Sequence, residues 1–225
     1  MNQKYKLEIK DRQLASAPFM SSDGQNYYKA MQCAVNMAFV NRQIILHRIR
    51  EVFSEVFGSS PERLGMHQLY DVAHNTAKLE NHIINGENKQ VLVHRKGATR
   101  AFPPESLELP HLYRGCGQPV IIGGSMETGS YLLVGAKSGL DAFFTTAHGS
   151  GRVMSRKRAR SQFRGKVIQK SLKARGIDVR AASYSGLAEE AGAAYKDIDE
   201  VVKVTELAGL SRPLVKLTPL ATIKG

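Results

Sequence analysis

Tryptophan is absent and cysteine appears only twice, as Cys33 and Cys116. Neither belongs to a CxxC pair, so a disulfide framework and a cysteine-built zinc fold are not expected. A reducing, cytoplasmic setting fits that scarcity. No apolar run approaches the ~20 residues that cross a bilayer as a helix. Met1–Lys10 alternates charged and apolar residues and has no secretion-signal core, so no membrane partner is expected. Acidic residues are also few, 20 against 32 Lys and Arg, for a formal net charge of +12. A surplus of that size favours a polyanionic partner, because each phosphate neutralised releases counterions. The other reading is a soluble protein that is simply basic.

What is present, 225 residues of which 42% are hydrophobic, suffices for one substantial core or two small ones. Residues 1–20 read as a short strand and an irregular segment, with Ser21, Ser22 and Asp23 as candidate helix caps. From Tyr27 to Phe57 apolar residues recur at helical spacing, predicting one long helix, or two with a bend near Asn41, that carries core residues and stops at Gly58. Short strands are expected at Gln90–His94, Pro119–Ile122 and Ser130–Val134. Phe102–Pro110 should be a surface loop. Ser155–Gly176 reads as one basic helix, Ile198–Leu207 as another helix, and Leu214–Gly225 as a terminal strand.

The most informative stretch is Ala147–Arg156, where His148 sits among glycines directly before a basic segment. Glycines let the backbone approach a ligand, and successive N–H groups can cradle an anion. A largely neutral imidazole can act as nucleophile, base or metal ligand. Gly123–Ser130 has hydroxyls and free N–H groups suited to phosphate, although taken alone it reads as a glycine-rich hairpin and fits neither a Walker loop nor a dinucleotide fingerprint. His74 stands beside Asn75, and Lys78 would share its face on a helix. A lone histidine is more often structural than a metal ligand. Arg95, Lys96 and Arg100 cluster around a turn glycine, which is either a phosphate path or a solvated loop. Arg156, Arg160 and Arg164 fall on one helical face of a segment without acidic residues, which is either a solvated face or a nucleic-acid contact. Tyr184 and Tyr195 are candidates to stack a base, against the commoner packing role.

Several motifs, in order, match one family: Asp11–Ala15, Ala38–Gln43, His74-Asn75, His94–Phe102, Gly124-Ser125-Met126, His148–Arg156, Ala194–Asp199 and Ile223-Lys224-Gly225. Together they resemble the C-terminal half of the RtcB RNA-splicing ligases. The resemblance implies an α+β fold, mixed sheets with flanking helices forming one domain over residues 1–225. It implies joining of RNA 3′-phosphate or 2′,3′-cyclic phosphate ends to 5′-hydroxyl ends, as in tRNA splicing and RNA repair, with GTP and Mn²⁺. His148 would be the guanylylated nucleophile and His74 a Mn²⁺ ligand. Asn75, Gly123, Gly124, Ser125, Met126, Ser130, Gly149, Ser150, Gly151, Arg152, Tyr195 and Lys224 would contact nucleotide. Ser150 replaces a common alanine, and Gly123 a common proline.

The family's N-terminal half supplies an Asp, a Cys and two further His ligands, and a segment that helps hold guanine. None of those motifs occurs here, and Cys33 does not match the ligand cysteine. One histidine alone holds Mn²⁺ weakly. The expected partners are therefore RNA and a separate half supplying metal ligands. The alternatives are a non-catalytic RNA-binding module and a nucleotide or RNA-end phosphohydrolase using the same histidine.

Overall fold

The computed structural model describes residues 2–6, 8 and 14–224. The matched Asp11–Gln13 and Gly225 lie outside the described residues. Asn2–Tyr5 (α1) is helical where a strand was expected. Tyr5 and Lys4 both bond Asp23, at 3.0 and 2.6 Å, in the first turn of a 36-residue helix, Ser22–Phe57 (α2). Ser21 caps that helix by accepting from the Gly24 N–H at 3.1 Å. Gly58 ends it in the left-handed region, so the stretch is a single helix. The expectation that α2 carries core residues is overturned. Met37, Val40, Ile44, Val52, Phe53, Val56 and Phe57 are all exposed, and Gly24 is its one buried residue. The chain packs on the helix elsewhere, running back from residue 66 to 71. Arg50 donates to the Met66 carbonyl at 2.8 and 3.2 Å, and Arg42 meets Asp71 at 2.6 Å.

Asn75–Ile84 (β1) and Glu87–Lys96 (β2) form an antiparallel ribbon. Its two-residue turn, Asn85-Gly86, has φ +53° and +81°, the paired positive values that match hairpin twist and that Asn-Gly supplies most readily. His74 and Lys78 therefore do not share a helix face. Ala98–Arg100 (β3) pairs with Thr145–Ala147 (β6). Pro119–Gly123 (β4), Ser130–Gly135 (β5) and Ser211–Leu217 (β8) make an antiparallel sheet in the order β4-β5-β8.

Arg156–Gln162 (α3) and Gly165–Ala174 (α4) are two helices, not the single one expected. The break has a tertiary cause: a Cβ on Gly165 would stand 2.0 Å from the Tyr184 carbonyl oxygen, so α4 starts against that backbone. Asp178–Ala181 (β7) pairs in parallel with Ala221–Lys224 (β9). The expected terminal strand is thus divided between two sheets around Pro219, which has no N–H for a ladder. Tyr184–Glu189 (α5) and Ile198–Leu207 (α6) complete the chain, the latter at its expected bounds. The mixed α+β class is as expected. Among the described residues no helix is long and apolar enough to cross a membrane.

Two apolar clusters hold this together. Ala101, Val120, Ile122, Leu133, Ile198 and Val202 join α6 to the three-stranded sheet. Met126, Leu172, Ile177, Val179 and Leu187 join α4, α5 and β7 to the segment after β4. Each fully buried Leu or Ile contributes about 1.5–3 kcal/mol relative to exposure.

Candidate active site around His148

Three pieces of backbone meet at His148. The loop after β6 is sewn to the end of β4: Gly123 donates to the His148 carbonyl at 3.2 Å, and Ser150 donates to the Gly123 carbonyl at 2.8 Å. The third piece is the start of the ribbon. Gly97 donates to the His74 carbonyl at 2.9 Å, and the open side of Gly97 faces His148, whose Nε2 lies 3.6 Å from where a Cβ would stand. Asn75 Oδ1 accepts from the Gly97 N–H and from Lys96 Nζ, both at 3.2 Å.

The imidazoles of His74 and His148 stack with centroids 4.5 Å apart and planes inclined by 18°. Near-parallel rings aim their in-plane lone pairs side by side, not at one point. The pair is therefore not arranged as a two-histidine chelate. Burial, then the neighbouring His74 and Lys96, hold the His148 pKa below the usual imidazole value. All three favour the neutral, nucleophilic form.

On the far side of the loop, Arg152 is locked in place. It donates to the Met154 carbonyl at 3.1 Å, the Glu189 carbonyl at 2.5 Å and the Tyr195 hydroxyl at 2.9 Å. Its guanidinium lies 4.7 Å from the Tyr195 ring centre, and the Tyr195 hydroxyl in turn donates to Glu190. Glu189 and Glu190 were missed in the sequence. They lie more than thirty residues from Arg152, with no local pattern to link them.

Gly124, Ser125 and Met126 form the turn after β4. Ser125 N–H bonds Thr128 Oγ1 at 3.0 Å, Met126 is buried, and Ser130 opens β5 opposite Gly123. Ser150 is buried and its Oγ has no hydrogen-bond partner. Lys224 lies on β9 beside β7.

The basic candidates divide sharply. Arg95 is a correction: it sits within β2, and its side chain is fully buried against Glu80, so RNA cannot reach it. Arg100 is half-buried, bonding Gln118 at 3.1 Å and lying 4.4 Å from the Phe102 ring centre. Lys96 is exposed. Arg156 and Arg160 are exposed but paired with Glu189, at 3.7 and 2.8 Å, and Arg164 lies in extended backbone between α3 and α4, as the N-cap of α4. The expected uncompensated three-arginine face does not exist.

Manganese places a stricter demand. Among the described residues no three His, Cys, Asp or Glu side chains stand together as a metal site. His74 with its stacked neighbour does not make a tight Mn²⁺ site, so the donor set described here does not fit that ion by itself.

These features define an α+β protein in which a neutral histidine is presented by a glycine loop among groups suited to phosphate. The family model for tRNA-splicing ligase RtcB matches residues 1–225. The chain is 51% identical over 223 residues to the tRNA-splicing ligase RtcB of Pyrococcus abyssi, covering 99% of this chain and 24% of that protein. It is 50% identical to that of Archaeoglobus fulgidus, covering 99% and 46%, and 48% identical to that of Thermococcus kodakarensis, covering 100% and 47%. The chain belongs to the RtcB family, and it spans about a quarter to a half of the length of these curated relatives.

Proposed function

We propose that this chain carries the nucleophile of a GTP-dependent RNA ligase acting on 3′-phosphate or 2′,3′-cyclic phosphate ends and 5′-hydroxyl ends. The observation that supports it best is His148 itself: an imidazole kept neutral, held by the Gly123–Ser150 backbone bonds and stacked on His74. A ring nitrogen of His148 attacks the α-phosphorus of GTP. The bond to the bridging oxygen breaks, and pyrophosphate leaves with the electron pair. Where the end is a 2′,3′-cyclic phosphate, water first attacks its phosphorus and breaks the bond to the 2′-oxygen; an oxygen of the RNA 3′-phosphate then takes the guanylate from histidine. The RNA 5′-hydroxyl oxygen attacks the 3′-phosphorus and GMP departs. The glycines of the His148–Gly151 loop would let its backbone approach the phosphates, while Arg152, held by Tyr195 and the Glu189 carbonyl, fixes the far side of that loop.

GTP labelled at the α-phosphate tests this directly. With Mn²⁺ and a half supplying the missing metal ligands, the chain should retain acid-labile label, and His148→Ala should retain none. Normal labelling of that variant refutes the assignment. The absence of a three-residue metal cluster among the described residues favours a second reading, an RNA-binding module without its own chemistry. RNA binding with no label even when that half is present would support it.

A further inference from the structure

The surface of α4 opposite its buried Leu172 lines a cavity of about 420 Å³ formed by Lys166, Lys170, Lys173, Asp178, Arg180 and Tyr184. We propose that this cavity is a binding site for single-stranded RNA, with phosphates along the lysine row and a base stacked on Tyr184. The inference takes its ligand class from the RNA-ligase reading, but it concerns a different surface.

Four observations carry it. Lys166, Lys170 and Lys173 follow i, i+4, i+7 spacing, so they project from one face of α4 and span about 10 Å at 1.5 Å per residue. That length exceeds one phosphate group and suits a backbone carrying several. None of the three lysines has an ion pair among the described residues, whereas Arg95, Arg152, Arg156 and Arg160 all do. The one carboxylate in the cavity, Asp178, is engaged by Arg180 at 3.4 Å, which leaves the lysine row as the anion-attracting edge. Tyr184 is 54% exposed at the cavity wall, although its backbone is fixed against Gly165.

The chemistry selects the ligand. Lysines are compact point charges, suited to phosphates without the planar fork that reads a base edge. An exposed ring takes the face of any base, but only one already out of a duplex. The platform is rigid, because Leu172, Val179 and Leu187 pack beneath it in the cluster that also buries Met126.

Fluorescence anisotropy of the whole chain with a labelled 20-nucleotide single-stranded RNA, at several salt concentrations, tests this. The Lys166→Ala/Lys170→Ala/Lys173→Ala variant should bind more weakly and lose about 2 from the slope of log K against log salt, at ~0.7 per single-strand contact. A control triple, Lys29→Ala/Lys137→Ala/Lys203→Ala, removes equal charge elsewhere and should leave most of the slope. Tyr184→Ala should weaken binding at least about fivefold, and Tyr184→Phe should restore it. Equal losses from both triples, or an unchanged slope in the first, overturn the site. Indifference to Tyr184→Ala overturns the stacking. Guanylate labelling of His148, with the half supplying metal ligands present, is read separately, so its failure beside intact RNA binding sinks the ligase reading and leaves this one standing.

Discussion

Replacing Arg95 by alanine removes the tie between the β1–β2 ribbon and the strand that leads into His148. Arg95 and Glu80 have side-chain exposures of 0% and 4%. The guanidinium bonds the carboxylate at 2.6 and 2.9 Å, and donates to the Phe143 carbonyl at 2.9 Å and to Thr145 Oγ1 at 3.0 Å. Without it Glu80 keeps, among the described residues, the bond to His82 at 3.0 Å. Breaking one side of a buried ion pair costs about 3–5 kcal/mol. At ~2–4 °C per kcal/mol for a chain of this size, Tm should fall by about 6–20 °C. Burial alone would raise the Glu80 pKa, but the hydrogen bonds from Arg95 and His82 outweigh it and hold the carboxyl below its usual value. Such a group stabilises the fold above the unfolded pKa, ~4.3 for Glu, and that contribution is lost as pH falls through the lower folded value. Urea unfolding at pH 7 and at pH 3 should therefore show a full penalty that shrinks in acid. The Glu80→Leu/Arg95→Met double variant should recover much of it, since the pair as a whole offsets its own desolvation only partly. A penalty under about 1 kcal/mol at pH 7, or one unchanged at pH 3, refutes the reasoning.

Two further outcomes bear on the site. Because burial, His74 and Lys96 depress the His148 pKa, the acid limb of the guanylate-labelling rate should lie below the ordinary imidazole value of ~6.5; a limb at or above that value contradicts a neutral nucleophile built by its surroundings. Arg156→Ala/Arg160→Ala should lower the salt slope of RNA binding by less than the ~1.4 expected of two free single-strand contacts, because Glu189 already occupies both. Anisotropy showing the full loss would mean that the pairs open when RNA binds.

Much of this fold was legible where its cause is local. The helix over 198–207 stands at the bounds expected for it, and α2 announces itself with Ser21 and Gly58. What local pattern could not supply was the destination of a face. The apolar stripe of α2 reads like a core stripe, but the described residues leave most of it uncovered. The burial of Arg95 depends on register. Asn85-Gly86, a hairpin signal present in the sequence but not used, sets Ile84 opposite Glu87 and so places Thr76 opposite Arg95, on the same ribbon face as Glu80 and His82. Read without that turn, His94–Arg100 is only a cluster of cations. The break between α3 and α4 has no sequence signature stronger than Gly165, because its cause, the Tyr184 backbone, arrives from nineteen residues away.

The basic surplus itself resolves into two populations with different work. The arginines near the site are spent inside the molecule: Arg95 on Glu80, Arg152 on Glu190 and the Tyr195 hydroxyl, Arg160 on Glu189. A planar fork with five donors is suited to fixing strands and loops at defined angles. Lys4, Lys137 and Lys216 are held by carboxylates, but Lys166, Lys170 and Lys173 line up on α4 without an ion pair among the described residues. Net charge therefore overstates the number of open cations and does not say where they lie. The segment richest in positive charge in the sequence, Arg152–Lys166, is partly neutralised by a carboxylate pair that only folding brings near. The following helix, less conspicuous as text, presents the open cations. The residues that would do chemistry and the residues that would hold the strand thus lie on separate elements, joined through the apolar cluster of Met126, Leu172 and Leu187. A substitution in that cluster should disturb both at once, whereas a surface lysine should disturb only binding.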